Sequence, residues 1–390
     1  MVSACSLIES VLLALLAIAW CEWGYYYYVN YTYCDTWPGH GEGKFNNANS
    51  KRILVIADPH IMGTSRSYLI DKILREWQMR QTFRISTGIL KPDLVVFIGD
   101  ILDEGDVWQP DDKFDVARED FEVIFNMDKV GGVAKRVILP GNHDVGLHDG
   151  IKKSDAYLKR FTRTFKSVSS IQLLDDKRLK PLNLIVANSM VFYNDSCSFC
   201  SEASWRTEQI SRKLPQNHRS ASYSRPVLLQ HIPLYRRDDD VCQYPLQMRN
   251  RALEPRVEGD EVLHRTSSQL LLEKLRPRLV ISGHSHMQCH MLHQLPSIRN
   301  SSVGKHTSMQ LSDPRSEVII PDDEDTIDTT EEITVSSYNH KFAELGPGYL
   351  LLSVNRTHYS YHHCEMIEEW IVAAVYAVAL LIVIIKLVLC

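Results

Sequence analysis

Five short runs rich in Ile, Leu and Val recur along the chain, and each one ends in an Asp, Asn or His. They are KRILVIADPH (51–60), DLVVFIGD (93–100), RVILPGNHD (136–144), RPVLLQH (225–231) and RLVISGHSH (278–286). Continuous apolar runs of this length are typical of strands that are covered on both faces. The polar residues would therefore follow the C-terminal ends of five buried strands.

Helical patterns occupy the intervals between these runs. Apolar residues recur at helical spacing in residues 67–83, 118–130 and 267–275. Strands that alternate with helices predict a layered α/β core, in which ligands usually bind at the carboxyl edge of a sheet. The alternation predicts that polar residues far apart in the sequence meet at one edge.

The side chains expected at that edge carry carboxylate, amide or imidazole groups. They are Asp58, His60, Asp100, Asn142, His143, Asp144, His231, His284 and His286. A single zinc ion needs only three or four ligands, commonly His or Cys, so this mixed and larger set indicates two divalent metal ions that share one carboxylate. Asp100 is predicted as the shared ligand, because it has two carboxylate oxygens and follows Gly99, where the backbone can come close.

This set of ligands predicts phosphoester hydrolysis. Two ions held ~3.5–4 Å apart can polarise a phosphoryl group and lower the pKa of a water molecule until a nucleophile forms near neutral pH. Taken alone, an Asp after a strand is often a helix cap, and a lone His is often a hydrogen-bonded structural residue. The presence of all five segments in one chain favours the metal site.

In these residues the sequence resembles the calcineurin-like metallophosphoesterase superfamily. The ordered motifs of that superfamily are D-x-H, G-D, G-N-H-[DE], H and G-H-x-H, and all five occur here in that order over residues 58–286. The resemblance implies an α/β fold in which a sandwich of two β-sheets is flanked by helices.

The resemblance also implies a role for each residue. One ion would be bound by Asp58, His60, Asp100 and His286, and the other by Asp100, Asn142, His231 and His284. His143 would act as general acid on the leaving oxygen, and Asp144 would accept a hydrogen bond from its ring and fix its tautomer. Asp103 stands where purple acid phosphatases carry a Tyr, so a tyrosinate–iron site is not expected.

A more specific resemblance extends over residues 20–290. The stretches IDKILREWQM, GDILDEG, GNHDVGLH, SCSFCSE, VLLQHIPLYRR and RLVISGHSH resemble the membrane-anchored eukaryotic metallophosphoesterases that remodel glycosylphosphatidylinositol (GPI) anchors. This resemblance implies removal of the ethanolamine-phosphate side chain from the second mannose of the GPI glycan, with Mn²⁺ as the metal. It further implies a role in transport of GPI-anchored proteins from the endoplasmic reticulum (ER) to the Golgi.

The same resemblance implies a location and partners. The catalytic domain would be lumenal, in membranes of ER exit sites, the ER–Golgi intermediate compartment and the cis-Golgi. GPI-anchored protein glycans would be the substrate, and cargo receptors of the early secretory pathway are further candidate partners. A net charge of −5 offers no general attraction for nucleic acid.

Two apolar segments predict membrane anchors at the two ends of the chain. Residues 370–390 carry a single charge, Lys386, and at ~1.5 Å per residue they can span a hydrocarbon core of ~30 Å. Residues 7–28 could be a cleaved signal peptide or a first anchor. The absence of Lys or Arg before this run and the aromatic cluster from Trp20 to Tyr28 favour a retained anchor. The catalytic domain is predicted between them, over residues 50–355.

Sequons and cysteines also favour a lumenal domain. N-x-[ST] triplets occur at Asn30, Asn194, Asn300 and Asn355. Cys197 and Cys200 form a C-x-x-C, and because a zinc site would usually need a second such pair, we predict that they form a structural disulfide.

The acidic stretch over residues 296–332 has no counterpart in the family motifs. We predict that it is a solvated surface loop between two edge strands, followed by closing strands in ITVSSYNH and GYLLLSV.

Two alternative functions remain open from the residues alone. A lumenal metallophosphatase that acts on nucleotides or phosphoproteins would carry the same metal ligands. A catalytically silent protein that binds a glycan or cargo would be expected to lack a ligand or His143, and none is missing.

Overall fold

Within the described residues, two six-stranded sheets form the centre of the protein. The computed structural model describes residues 4–39, 50–63, 68–107, 111–129, 135–180, 182–192, 199–214, 224–240, 242, 248–295, 320–321 and 329–389. The strands are β1 Lys51–Ile56, β2 Leu94–Ile98, β3 Lys135–Leu139, β4 Ile171–Leu173, β5 Leu184–Ala187, β6 Val227–Leu229, β7 Leu279–Ser282, β8 Cys289–Gln294, β9 Ile320–Pro321, β10 Thr329–Thr334, β11 Gly348–Val354 and β12 His358–Glu365.

Helices flank both sheets and extend to both ends of the described chain. The α-helices are α1 Ala4–Ala19, α2 Tyr25–Tyr33, α3 Leu69–Leu90, α4 Asp111–Ile124, α5 Asn142–Val145, α6 His148–Phe165, α7 Cys200–Lys213, α8 Arg249–Ala252, α9 Arg265–Leu275 and α10 Glu369–Leu389. A π-helical turn, Trp20–Gly24, joins α1 to α2, and short 3-10 helices lie at Met127–Lys129 and Ser189–Phe192.

The strand order places the C-terminal ends of the strands predicted from the apolar runs at one end of the sandwich. The first sheet has the order β3-β2-β1-β11-β12-β9, and β1, β2 and β3 run parallel. The second sheet has the order β4-β5-β6-β7-β10-β8, and β6 and β7 run parallel. The predicted ligands directly follow these five strands in the sequence, so they also lie at that end of the sandwich.

Both faces of the sheets are buried, which explains the continuous apolar runs. In β1, Ile53 and Val55 pack between the sheets, whereas Leu54 and Ile56 face the layer of helices. Full burial of such a side chain contributes roughly 1.5–3 kcal/mol to folding. The predicted α/β sandwich flanked by helices is confirmed.

The two ends of the chain form helices that are long and apolar enough to cross a membrane. The first covers Leu7–Tyr33 and the second Glu369–Val388, so the first extends beyond the predicted residues 7–28. The two helices pack together, with Lys386 Nζ 2.6 Å from a carboxylate oxygen of Glu9. These helices fit a membrane-anchored protein. The retained N-terminal anchor stays a prediction, which this packing supports.

The folded domain continues past the predicted boundary at residue 355. Strand β12 pairs along its length with β11 and ends at Glu365, only four residues before α10 begins at Glu369. A disulfide joins Cys34, directly after α2, to Cys364 at the end of β12. Both terminal helices are thus attached to the sandwich at the same place.

Further disulfides lie within the domain. Cys242 is bonded to Cys289. Cys200 is also disulfide-bonded, but Cys197 lies outside the described residues, so the pairing of these two cysteines stays a prediction.

The described residues include two of the four predicted glycosylation sites, Asn30 and Asn355. Asn30 is buried in α2, where its amide nitrogen donates to the Tyr26 carbonyl at 2.9 Å and its amide oxygen accepts from Tyr349 Oη at 2.7 Å. A glycan on that nitrogen is incompatible with these contacts, so Asn30 is not among the acceptors we propose. Asn355 lies in the turn between β11 and β12 and stays a prediction. Asn194 and Asn300 lie outside the described residues.

The end of the acidic stretch is not the surface loop that we predicted. Most of residues 296–332 lie outside the described part of the chain, but Glu331 and Glu332 belong to β10, which lies between two other strands rather than at an edge. Both side chains are buried, and Glu332 is 2.8 Å from His293 Nε2. His293, the Leu234 backbone N–H at 2.9 Å and the Ser282 hydroxyl at 3.0 Å together satisfy a carboxylate that charge patterning alone would place in solvent. The second closing strand, β11, coincides with GYLLLSV.

Candidate metal centre

The predicted ligands follow the ends of strands β1, β2, β3, β6 and β7, and several have an unusual backbone. Non-glycine residues with φ in the left-handed region are Asp58, His60, Lys91, Asp100, Lys166, Arg276, His284 and His286 among those described. Lys91, Lys166 and Arg276 occupy the C-caps of helices. All the others are predicted ligands. Because this conformation costs on the order of 1–3 kcal/mol per residue, it persists where the surrounding structure requires it, typically at functional sites.

The first group of ligands is formed by Asp58, His60, Asp100 and His286. One ligand atom from each of these four residues lies within 4.8 Å of the others. The Nε2 atoms of His60 and His286 are 3.0 Å apart. Two atoms that bind one ion at ~2.1 Å and at right angles would be ~3 Å apart, so this spacing fits a shared ion.

The second group shares Asp100 with the first. Ligand atoms of Asp100, His231 and His284 also lie within 4.8 Å of one another. Asn142 Oδ1 lies 2.9 Å from His231 Nε2 and completes the group. The residues that the family resemblance assigned to two ions are therefore brought together as two groups around one carboxylate.

The hydrogen bonds of the histidines leave their other nitrogens free to bind a cation. His231 Nδ1 is 2.8 Å from the Ile98 carbonyl, and His284 Nε2 is 2.8 Å from the Asp260 carbonyl. A carbonyl can only accept, so these nitrogens carry the protons. His231 Nε2 then presents a lone pair to the Asn142 amide oxygen, and a cation between them resolves this contact of two acceptors.

Burial and neighbouring charges shift the pKa values of the candidate ligands in opposite directions. Burial, reinforced by the charge of Asp100, raises the pKa of Asp58 to about 8. Burial lowers the pKa values of His284 and His286 to about 3. Burial would also lower the pKa of His231, but the charges of Asp100 and Asp58, together with its hydrogen bonds, outweigh burial and raise that pKa to about 9. A divalent cation stabilises ionised carboxylates and neutral imidazoles together, so these residues fit the metals that the family implies.

His143 lies at the open side of this centre, with 34% of its side chain exposed. Its backbone N–H donates to Asp100 Oδ1 at 2.8 Å, and its ring Nδ1 lies 3.1 Å from the Asp103 carbonyl. Burial alone would lower the pKa of the ring, but the charge of Asp100 and the contacts with Asp103 outweigh it and raise the pKa. The Nδ1 contact leaves Nε2 as the atom that can reach a substrate.

The predicted role of Asp144 is wrong, because its carboxylate is used by the backbone. Its oxygens accept from the N–H groups of Ile101 at 3.1 Å, Leu102 at 2.8 Å and Gly141 at 2.8 Å. Burial, reinforced by the charge of Asp100, raises the pKa of Asp144 to about 7. Asp144 therefore ties the loop after β2 to the loop after β3, and Asp103 is the residue that orients the His143 ring.

Three further residues support the centre and were not identified from the sequence. The Phe342 ring lies 4.4 Å from the ring of His60, centroid to centroid. Asn339 Nδ2 donates to the carbonyl of His60 at 3.2 Å, and Ser189 Oγ accepts from the backbone N–H of His231 at 3.0 Å. These residues lie in irregular or 3-10 segments without a motif, so the sequence offered no local signal for them.

Substituting Gly141→Ala should weaken metal binding, because a Cβ at this position would overlap Asp100 Oδ1 and its backbone nitrogen. Displacement of the shared carboxylate is expected to lower Mn²⁺ affinity by ~10–100-fold, as for other changes around metal ligands. Isothermal titration calorimetry of the full chain with Mn²⁺ would measure it.

Gly88→Ala is the matched control for that substitution. Gly88 is exposed on α3, and an added Cβ would meet nothing within 4 Å. This change should leave Mn²⁺ affinity unchanged and slightly favour the helix. Equal affinities for the two variants would contradict the role of the close packing at Gly141.

The sandwich and its ligand groups define the class of this protein as a metal-dependent phosphoesterase, a hydrolase of phosphate esters. A family model described as calcineurin-like phosphoesterase matches residues 51–288. The chain therefore belongs to the calcineurin-like phosphoesterase family.

Similar proteins extend the match beyond the motifs. Metallophosphoesterase 1 of Ailuropoda melanoleuca is 34% identical over 306 residues, which cover 73% of this chain and 74% of that protein. The Metallophosphoesterase 1 homolog of Caenorhabditis elegans is 33% identical over 280 residues, covering 72% and 70%. Metallophosphoesterase 1 of Gallus gallus is 29% identical over 405 residues, covering 98% of this chain and 89% of that protein. These matches confirm the predicted family and support the closer resemblance.

Proposed function

We propose that this protein uses two divalent metal ions, Mn²⁺ in the cell, to remove the ethanolamine-phosphate side chain from the second mannose of GPI anchors. The observation that carries the two-metal proposal is the position of Asp100 in both ligand groups. The substrate is proposed from the resemblance to GPI-remodelling enzymes. The relatives named Metallophosphoesterase 1 and the two terminal helices support it.

The reaction is hydrolysis of a phosphodiester. Bound divalent ions supply Lewis-acid stabilisation of the phosphoryl oxygens and lower the pKa of water. Water adds to phosphorus, the bond between phosphorus and the mannose oxygen breaks, and ethanolamine phosphate is released. His143 donates a proton from Nε2 to the departing mannose oxygen, while the Asp103 carbonyl holds its Nδ1–H at 3.1 Å.

A lumenal, membrane-bound setting suits this reaction. The disulfides Cys34–Cys364 and Cys242–Cys289 are typical of oxidising compartments. A membrane anchor confines the enzyme to the surface that carries a lipid-linked substrate, which raises their effective concentration. These features support our proposal that the protein acts in early secretory membranes, from ER exit sites to the cis-Golgi. There its reaction would promote export of GPI-anchored proteins, and cargo receptors are candidate partners.

Mass spectrometry of GPI glycans from cells with and without the gene tests the substrate. Deficient cells should retain the ethanolamine phosphate on the second mannose, and re-expression of the wild-type chain should remove it. Re-expression of His143→Ala should not, because the leaving mannose oxygen would lack its proton donor.

An unchanged GPI glycan in the deficient cells would also give a clear answer about the substrate. If deficient cells carry the same second-mannose structure as the parent cells, the GPI substrate is excluded. Hydrolysis of a soluble phosphodiester by the purified chain would then leave the phosphoesterase assignment intact and direct attention to nucleotides or phosphoproteins.

A further inference from the structure

The first two turns of α3 expose an apolar surface that the described part of the folded domain does not cover. Its residues are Tyr68, Leu69, Ile70, Ile73 and Leu74, and their exposed fractions range from 44% to 88%. Tyr68 directly precedes the helix, and the others lie within it. A contiguous apolar surface of this kind on a folded domain usually marks an interaction site.

The charged residues of the same segment turn toward the protein. Asp71 pairs with Arg75 at 3.1 Å and with Lys341 at 3.4 Å. Lys72 donates to the Met62 carbonyl at 2.9 Å and to Asp120 at 2.7 Å, and it also pairs with Glu76. Because both charges are paired on the protein side, the outward side of these turns is apolar.

Contacts between α3 and the N-terminal helix define the direction of α3. The rings of Trp23 and Trp77 lie 6.2 Å apart, and Ile85 packs farther along with Val29. Beyond the end of α2, Trp37 Nε1 donates to the Leu90 carbonyl at 2.8 Å. Higher residue numbers in α3 therefore lie beside higher residue numbers in α2 and the residues that follow it, so α3 and α2 run in the same direction and the start of α3 lies toward α1.

The start of α10 lies at the same level as the first part of α3. Glu369, the first residue of α10, pairs with Arg75 and accepts from Gln78 Nε2 at 2.6 Å. From Glu369 the helix α10 continues into its apolar span. The residues of α3 that precede Arg75 therefore lie on the membrane side of this contact.

The geometry points to the lipid bilayer as the partner of this surface: we propose that Tyr68–Leu74 inserts into the interface of the membrane that the terminal helices span. Ile70 precedes Trp77 by seven residues, which corresponds to ~10 Å along the helix. Trp23, at the level of Trp77, belongs to an aromatic cluster of the kind found at membrane interfaces. Interfacial helices bury their apolar side ~5–10 Å into the headgroup and acyl boundary, which matches this depth.

Membrane insertion here would hold the metal centre close to the lipid. A cavity of about 140 Å³ lies between α3 and α4, and its lining includes Ile61, Lys72 and Gly105. Ile61 follows the ligand His60, and a Cβ on Gly105 would lie 2.9 Å from the His143 carbonyl oxygen. Lys72 of the inserted turns therefore lines the same cavity as Ile61 and Gly105, which lie next to the metal centre.

Site-directed spin labelling of the full chain in phosphatidylcholine nanodiscs tests the proposal. A nitroxide at Ile70→Cys is compared with one at Trp205→Cys, in a background in which Cys5, Cys21 and Cys390 are replaced by Ser. Trp205 is the matched control, because it is also a large apolar residue, 61% exposed, but on α7 beside the second sheet. Oxygen, which enters lipid, and a water-soluble nickel complex serve as paramagnetic collision partners.

We expect the ratio of oxygen to nickel collisions to be several-fold higher at position 70 than at position 205. A label at 70 that nickel reaches as readily as at 205 would show a water-exposed surface and overturn the proposal. Low collision rates with both reagents at 70 would indicate a protein partner, such as a second copy, and would overturn it equally. A label at Ile73→Cys repeats the test should the first variant fold poorly.

Discussion

Replacing Asp100 with Ala is expected to remove both metal ions and to lower turnover of a soluble phosphodiester by about 10³-fold or more, because metal ions supply several kcal/mol of transition-state stabilisation. Asp100 belongs to both ligand groups. Its Oδ1 also accepts from the His143 backbone at 2.8 Å, so its loss removes the link between the ligands and the proton donor.

The metal content of this variant is the decisive measurement. Inductively coupled plasma mass spectrometry on protein purified with excess Mn²⁺ gives the number of ions per chain. Asp93→Ala is the control, since Asp93 lies at the opposite end of β2 from Asp100 and pairs with Arg52 at 3.2 Å. The control should retain two ions and turnover. Two ions in the Asp100 variant would refute the shared carboxylate.

Replacing His143 with Ala should lower turnover by ~10²–10⁴-fold, the usual contribution of a general acid, while metal binding stays nearly intact. The side chain of His143 belongs to neither group of four ligands, and Ala keeps the backbone N–H that donates to Asp100. This combination of lost turnover and retained metal separates a proton donor from a ligand.

The effect of His143 should depend on the leaving group. A phosphodiester with an acidic phenol needs little protonation as it leaves, so His143→Ala should slow it less than an alkyl diester. His358→Ala is the control, because His358 begins β12 in the hairpin at the end of the sheet opposite the metal centre. Unchanged turnover of the alkyl diester by His143→Ala would exclude the ring from the mechanism.

Much of the fold and of the candidate metal site could be predicted because the signals are local. An apolar run that ends in Asp, Asn or His marks both a strand and the edge at which its ligand lies. The parallel pairing of β1, β2 and β3 then brings Asp58, Asp100 and Asn142 together without further information.

The orientation of His143 could not be predicted from its neighbour in sequence. Adjacent residues on a helical turn do not face each other, so Asp144 points to the backbone of Leu102 while the His143 ring reaches the Asp103 carbonyl. The path of the loop after β2 determines this contact, and no motif records that path.

The burial of these polar residues could not be predicted from the sequence either. Glu332 reads as part of an acidic surface stretch, yet Leu234 N–H donates to its carboxylate at 2.9 Å and His293 lies on its other oxygen. Asn30 reads as a sequon, yet its amide bonds within a helix and to Tyr349. In each case the deciding partner comes from a distant strand or loop.

The Cys34–Cys364 bond has a mechanical consequence. A domain attached to two independent membrane helices could tilt relative to the bilayer. A disulfide between the domain-side ends of the two helices restricts this tilt and the height of the domain above the bilayer. The metal centre would then reach only a narrow range of heights above the bilayer, so a phosphoester above or below that range would not be hydrolysed. Such an enzyme would select its substrates by the distance of the phosphorus atom from the lipid.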